Sequence, residues 1–146
     1  MEQHIDYYAQ IKGVAARLRP QLVEAAIIEL DLQQYRDAEA GKLSGGNKRK
    51  LAVAIAILGN PKIILLDEPS AGMDPESRHF MWQVLSKISN NKTSSIILTT
   101  HSMEEAEALS TKMAIMLQGG VFRCFGTAQH IKDKYGTGFI IEMKVK

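Results

Sequence analysis

Residues 62–70 read KIILLDEPS: the apolar run Ile63-Ile64-Leu65-Leu66 stops abruptly at two acids, Asp67 and Glu68. An unalternated run this short reads as a strand buried on both faces, the kind found in parallel sheets covered by helices. A second run, Ser95 to Thr99, ends in the same way at Thr100-His101-Ser102. Between them Asp74-Pro75-Glu76 opens a helix, with an N-cap aspartate, proline at the first position and an acid in the first turn. That helix should carry Phe80, Val84, Leu85 and Ile88 inward and end at Asn90-Asn91. Ser102-x-x-Glu105 is a capping box for the next helix. Strand, helix, strand, helix demands a right-handed crossover and a parallel sheet.

Upstream, Ile5, Tyr8 and Ala9 mark one helical face, and beyond the break at Arg19-Pro20 the set Leu22, Val23, Ala26, Ile27 and Leu30 marks another. A third pattern, Leu51, Ala54, Ile55 and Leu58, stops at Gly59-Asn60-Pro61. Downstream, Met113 to Leu117 and Val121 to Phe125 flank Gln118-Gly119-Gly120 as a hairpin. A short helix over Thr127 to Tyr135 and a strand from Phe139 close the sequence.

The third helix begins in residues 43–50, LSGGNKRK. Two adjacent glycines at a first turn expose backbone N–H groups at the positive end of the helix dipole, which suits an anion. Taken alone, Ser-Gly-Gly also reads as a flexible loop with Ser44 as N-cap. Lys48, Arg49 and Lys50 read as a solvated helix face whose field favours an anion nearby.

With 146 residues, 45% hydrophobic and 23% charged, the chain can bury one core. A net charge of +2 is too weak to argue for nucleic acid or an anionic membrane surface. The single cysteine, Cys124, excludes an internal disulfide framework and a cysteine-only zinc site, and fits a reducing compartment. No apolar run reaches the roughly 18 residues of a membrane span, and MEQHIDYYAQ lacks the order of a signal peptide.

In an open α/β sheet ligands sit at the carboxyl ends of the strands. Here those ends carry Asp67-Glu68 and His101. An aspartate there can hold Mg²⁺ through water, and an adjacent glutamate can polarise an attacking water. A solvated Asp-Glu-Pro turn is the plainer alternative. His101, one residue past a buried strand, suits a hydrogen bond to phosphate or water, whereas His4, His79 and His130 lie on ordinary helical stretches.

Taken in order, these residues resemble the ATP-binding cassette (ABC) ATPases of membrane transporters. Leu43-Ser44-Gly45-Gly46-Asn47 is similar to the signature motif and Ile63 to Glu68 to the Walker B strand with its catalytic glutamate. Ser70-Ala71-Gly72-Met73-Asp74 resembles the D-loop, and Thr100-His101 the switch histidine. Asn47, SAGMDP and the closing GTAQHIKDKYGTGF are most like subfamily A, whose members are mostly lipid exporters. The resemblance implies a P-loop NTPase-like layered α/β fold, with a mostly parallel sheet flanked by helices and an α-helical subdomain. It also implies a division into 1–60 (helical subdomain and signature helix), 61–126 (Walker B, D-loop and switch core) and 127–146 (C-terminal helix and strand).

The same resemblance implies ATP and Mg²⁺ as ligands, Glu68 and His101 as catalytic residues and Asp67 as the metal residue through water. Ser44, Gly45, Gly46 and Asn47 would face the γ-phosphate held by a second nucleotide-binding domain, with Ser70, Ala71, Gly72 and Asp74 in the D-loop. Partners would be that second domain and transmembrane domains at the cytoplasmic face of a membrane, with no nucleic acid. The family's phosphate loop, G-x-x-x-x-G-K-[ST], does not occur among these residues, nor do its adenine-stacking aromatic and glutamine loop. Without that loop there is no lysine on the β/γ-phosphates and no hydroxyl for Mg²⁺. The expectation is a truncated domain, lacking the P-loop strand and inactive alone, with a strand edge or face left uncovered. A non-catalytic regulatory cassette fragment is the alternative. A soluble cassette protein acting on nucleic acid, or a DEAD-type helicase, fits the weak charge and the LSGGN stretch less well.

Overall fold

The structure is a computed structural model that describes residues 1–91 and 94–136. The strand expected from Phe139 lies outside the described residues. Two compact units are present, Met1–Glu105 and one that begins at Ala106.

In the first unit, α1 (Glu2–Ile11), α2 (Arg19–Glu29) and α3 (Gly45–Ile57) pack on one another. Their inward residues are Ile5, Ala9, Val23, Ala26, Ile27, Leu51, Val53 and Ala54, all buried. The break expected at Arg19-Pro20 is the start of α2, with Pro20 in its first turn where a missing N–H is harmless. Lys12, just past α1, donates from Nζ to the carbonyls of Ile55 at 2.6 Å and Ala56 at 2.9 Å, satisfying orphan acceptors at the end of α3.

β1 (Ile63–Asp67) and β2 (Ser95–Thr99) pair in parallel, in the register Ile63↔Ser95 to Asp67↔Thr99. Between them runs α4 (Pro75–Asn90), which buries Met81, Val84 and Leu85 while Phe80 and Ile88 are only half-buried. Asp74 caps α4: its carboxylate accepts the Ser77 N–H at 2.9 Å. This backbone hydrogen bond holds the Asp74 carboxyl below the ordinary carboxylate range. The capping box at α5 (Met103–Leu109) is only half formed. Ser102 Oγ accepts the Glu105 N–H at 3.3 Å, but the buried Glu105 carboxylate accepts Trp82 Nε1–H at 3.1 Å instead of reaching back to Ser102.

The expectation that both strands are buried on both faces is corrected. Ile64 is buried, whereas Ile63, Leu65 and Ile97 are each more than half exposed. In a parallel pair with this register, Ile63, Leu65 and Asp67 share a face with Ser95, Ile97 and Thr99. Helices of the first unit cover the face of Ile64, and no described element covers the other. An unalternated apolar run therefore carries no signal of which face is covered.

In the second unit β3 (Met113–Leu117) and β4 (Val121–Gly126) form the expected antiparallel hairpin, with a bulge after Ile115. α6 (Ala128–Tyr135) follows, capped by Thr127 Oγ1, which accepts the His130 N–H. No described helix is long and apolar enough to cross a membrane.

Two measurements check this account. Because a lowered native pKa stabilises above the unfolded value and loses that contribution as pH falls through the native one, acid should weaken the cap on α4 below about pH 4. Asp74→Asn should match the parent at neutral pH, since Asn caps equally well, and lose less stability on acidification in urea titrations. The double variant Leu65→Thr/Ile97→Thr should keep its melting temperature, because exposed positions shift stability by about 0.5 kcal/mol or less. It should also stay monomeric to higher concentration in sedimentation. A loss of 2 kcal/mol or more, roughly that of a core truncation, would show that the face is covered.

Candidate functional site

The register that sets Asp67 beside Thr99 brings the two strand ends together. Thr99 Oγ1 donates to Asp67 Oδ1 at 2.5 Å and accepts the Glu68 N–H at 3.3 Å. The same N–H donates to the Thr99 carbonyl at 3.1 Å. Glu68 has φ 49°, a left-handed conformation that costs a non-glycine residue on the order of 1–3 kcal/mol. Consecutive strand residues project to opposite faces, and the turn at Glu68 ends that alternation. Its carboxylate consequently pairs with His101 Nδ1 at 2.8 Å, just past the end of β2.

This constellation is open to solvent: the His101 side chain is 79% exposed and that of Glu68 32%. A contact so exposed contributes little to stability. Asp67, Glu68 and His101, expected as one site, are thus brought to one end of the strand pair.

At the double glycine, Ser44 is the N-cap of α3 and its Oγ accepts the Asn47 N–H at 3.3 Å. Neither Gly45 nor Gly46 has a positive φ, and a Cβ on either would meet no atom within 4 Å. Among the described residues, neither turn geometry nor packing demands glycine at these positions. Their first-turn N–H groups lie at an open helix end, the arrangement that receives anions.

The basic residues that follow correct the reading of a solvated face. Only Lys48 is exposed. Lys50 is buried, 3.7 Å from Asp31 and with its ammonium 4.4 Å from the Phe80 ring centroid. Arg49 is half-buried and donates from Nη1 to the Asp67 carbonyl at 3.3 Å, tying α3 to the end of β1. Sequence patterning missed Arg49 and Thr99 because neither contact follows from helical or strand periodicity. Only the pairing of Asp67 with Thr99 could have suggested the second.

In the loop between, the Ala71 N–H donates to the Glu68 carbonyl at 3.2 Å and the Met73 N–H to that of Ser70 at 3.3 Å. Ser70 is buried and Gly72 has φ 73°. Asp74, expected in the D-loop, is engaged as the cap of α4. Among the described residues no cluster of three or more histidine, cysteine or acidic side chains could hold a metal alone. Mg²⁺ is commonly held by one or two carboxylates together with phosphate oxygens, and Asp67 fits such a part-site.

These elements have known counterparts. Residues 6–107 match the family described as "AAA domain, putative AbiEii toxin, Type IV TA system". A solved structure described as "Structure of ATP binding subunit of ABC transporter" superposes with a TM-score of 0.78 at 24% identity, over 92% of this chain and 55% of that one. The fold is that of a P-loop NTPase-like α/β domain. Human "Retinal-specific phospholipid-transporting ATPase ABCA4" is 48% identical over 99% of this chain, and mouse "Glucosylceramide transporter ABCA12" 44% identical over all of it. Human "ATP-binding cassette sub-family A member 2" is 44% identical over 99%. The chain spans 6% of the length of each of these relatives. It belongs to the matched AAA-domain family, and over nearly its whole length it is similar to a short part of ABC subfamily A members.

The left-handed backbone at Glu68 is directly testable. Glu68→Val should be about 1–2 kcal/mol less stable than Glu68→Gly by urea denaturation, because a β-branched residue resists positive φ and glycine accepts it without strain. Equal stabilities would mean that the turn relaxes.

Proposed function

We propose that this chain is the signature and Walker B part of an ABC transporter nucleotide-binding domain that couples ATP binding and hydrolysis to export, with lipid as the cargo class. The observation that carries this reading is the junction of Asp67, Glu68 and His101 where β1 and β2 end, within 2.8 Å contact for the acid and imidazole. Asp67 would hold Mg²⁺ through water, Glu68 would orient the attacking water, and His101, with Nδ1 engaged by Glu68, would keep its Nε2 edge for the γ-phosphate. The lipid assignment comes from the names of the relatives, a phospholipid-transporting ATPase and a glucosylceramide transporter.

Two half-sites have different partners in this reading. Asp67, Glu68 and His101 serve a nucleotide whose phosphate loop is not among these residues, so the chain alone is inactive. Ser44, the Gly45 and Gly46 amides and Asn47 act in trans on the γ-phosphate held by a second nucleotide-binding domain. The open space over both glycines supports this assignment, because a side chain there would obstruct only something outside the described residues. Transmembrane domains at the cytoplasmic face complete the assembly, and no nucleic acid takes part.

Calorimetric titration of Mg-ATP into the purified chain, with Glu68→Gln alongside to suppress turnover, should give no detectable binding. Tight binding would overturn the half-site reading. Mixed with a P-loop-bearing cassette whose own signature is disabled, the chain should restore ATP turnover. Gly46→Asp should then reduce that turnover roughly a hundredfold through charge repulsion and a lost N–H donor, while Glu68→Gln should leave it unchanged. Absence of turnover in the mixture would favour a non-catalytic, regulatory cassette fragment.

A further inference from the structure

We infer that Thr99 is a positioning residue whose hydroxyl fixes the Asp67 carboxylate and the Glu68 backbone together, so that Asp67 presents its free oxygen to a divalent cation with Glu68 held beside it. The inference rests on the nucleotide-site reading above and adds a residue to it. A hydroxyl has one proton and two lone pairs. Here the proton goes to Asp67 Oδ1 and a lone pair receives the Glu68 N–H. The bond to Oδ1 leaves Oδ2 as the acceptor for a cation or its water. The bond to the Glu68 N–H sits on the residue that adopts φ 49°, where an added hydrogen bond offsets part of the strain.

Two facts separate this role from a merely structural one. Thr99 is exposed at the end of β2, so its side chain fills no core. The two hydrogen bonds of its hydroxyl both go to the acids, and valine, nearly the same shape and at least as good a strand former, would serve the strand equally well. Arg49 holds the Asp67 carbonyl from the side of α3, so Asp67 is fixed at its backbone by one element and at its carboxylate by another. Groups that hydrogen-bond a metal-ligating carboxylate fix its orientation, and losing one typically weakens metal binding by 10–100-fold.

The test is a Mn²⁺ titration of the isotope-labelled full chain, following paramagnetic broadening at residues 67, 68 and 101 and the carboxylate carbon shift of Asp67. In Thr99→Val the Mn²⁺ concentration for half-broadening should rise roughly tenfold and the Asp67 carboxylate signal should move. Thr99→Ser, which keeps the hydroxyl, should restore both. Thr99→Ala supplies a second hydroxyl-free variant should the valine form fail to fold. Broadening lost in Asp67→Asn but unchanged in Thr99→Val overturns the positioning role alone. Loss in valine that serine does not restore shows that the hydroxyl alone does not carry the effect, and overturns it as well. Broadening indifferent to both Asp67→Asn and Thr99→Val overturns the cation reading of the acids, and this inference with it.

Discussion

Parallel pairing of β1 and β2 in the register that sets Asp67 against Thr99 is the constraint on which the rest of the structure depends. A shift of one residue would turn Ile64 outward and take Asp67 off the face it shares with Thr99. The left-handed turn at Glu68 would then lose both of its bonds to Thr99, and the carboxylate that meets His101 would return to the alternation of an ordinary strand. Apolar burial at Ile64 and polar geometry at Asp67 are therefore fixed by one choice of register.

The same choice places the acids on the uncovered side. Asp67 and Thr99 share their face with Ile63, Leu65 and Ile97, so the exposed apolar surface runs directly to the site. An exposed patch of this kind, bordered by polar residues, marks a surface made for contact. It also explains why the Glu68–His101 pair is solvated: what would exclude water from it would have to sit on that face. Helices α1, α2 and α3 bury Ile5, Ala9, Val23, Ala26, Ile27, Leu51 and Ala54 against one another, while Ile11 and Ile28 stay exposed.

Much of this was legible in the residues and some was not. Each described α-helix and strand follows from periodicity, caps and stop signals, and the hairpin from Gln118-Gly119-Gly120, whereas the short 3-10 helices Gln33–Tyr35 and Ala40–Lys42 had no such signal. The junction of Asp67, Glu68 and His101 follows from knowing that parallel strands end on one side. Three further features were not legible, for physical reasons. An unalternated run such as Ile63 to Leu66 states that a strand is apolar, not which of its faces is covered. Burial of Lys50 depends on Asp31 and Phe80, distant in sequence, which a helical wheel does not contain. The capping box is half formed because the Ser102 N–H that Glu105 would accept is already donated to Thr100 Oγ1 at 3.0 Å, and the buried carboxylate takes the Trp82 Nε1–H instead.

Helix α3 joins these observations. Lys12 holds its last carbonyls, Lys50 anchors its middle between Asp31 and Phe80, and Arg49 ties it to the carbonyl of Asp67. Its first turn, with Ser44 as cap and the bare amides of Gly45 and Gly46, is the stretch with no such tie across the fold. Arg49 follows the glycines by one turn and contacts the backbone of the residue whose carboxylate Thr99 holds. The helix that opens on the double glycine and the strand that ends in the acids are thereby joined by a direct hydrogen bond.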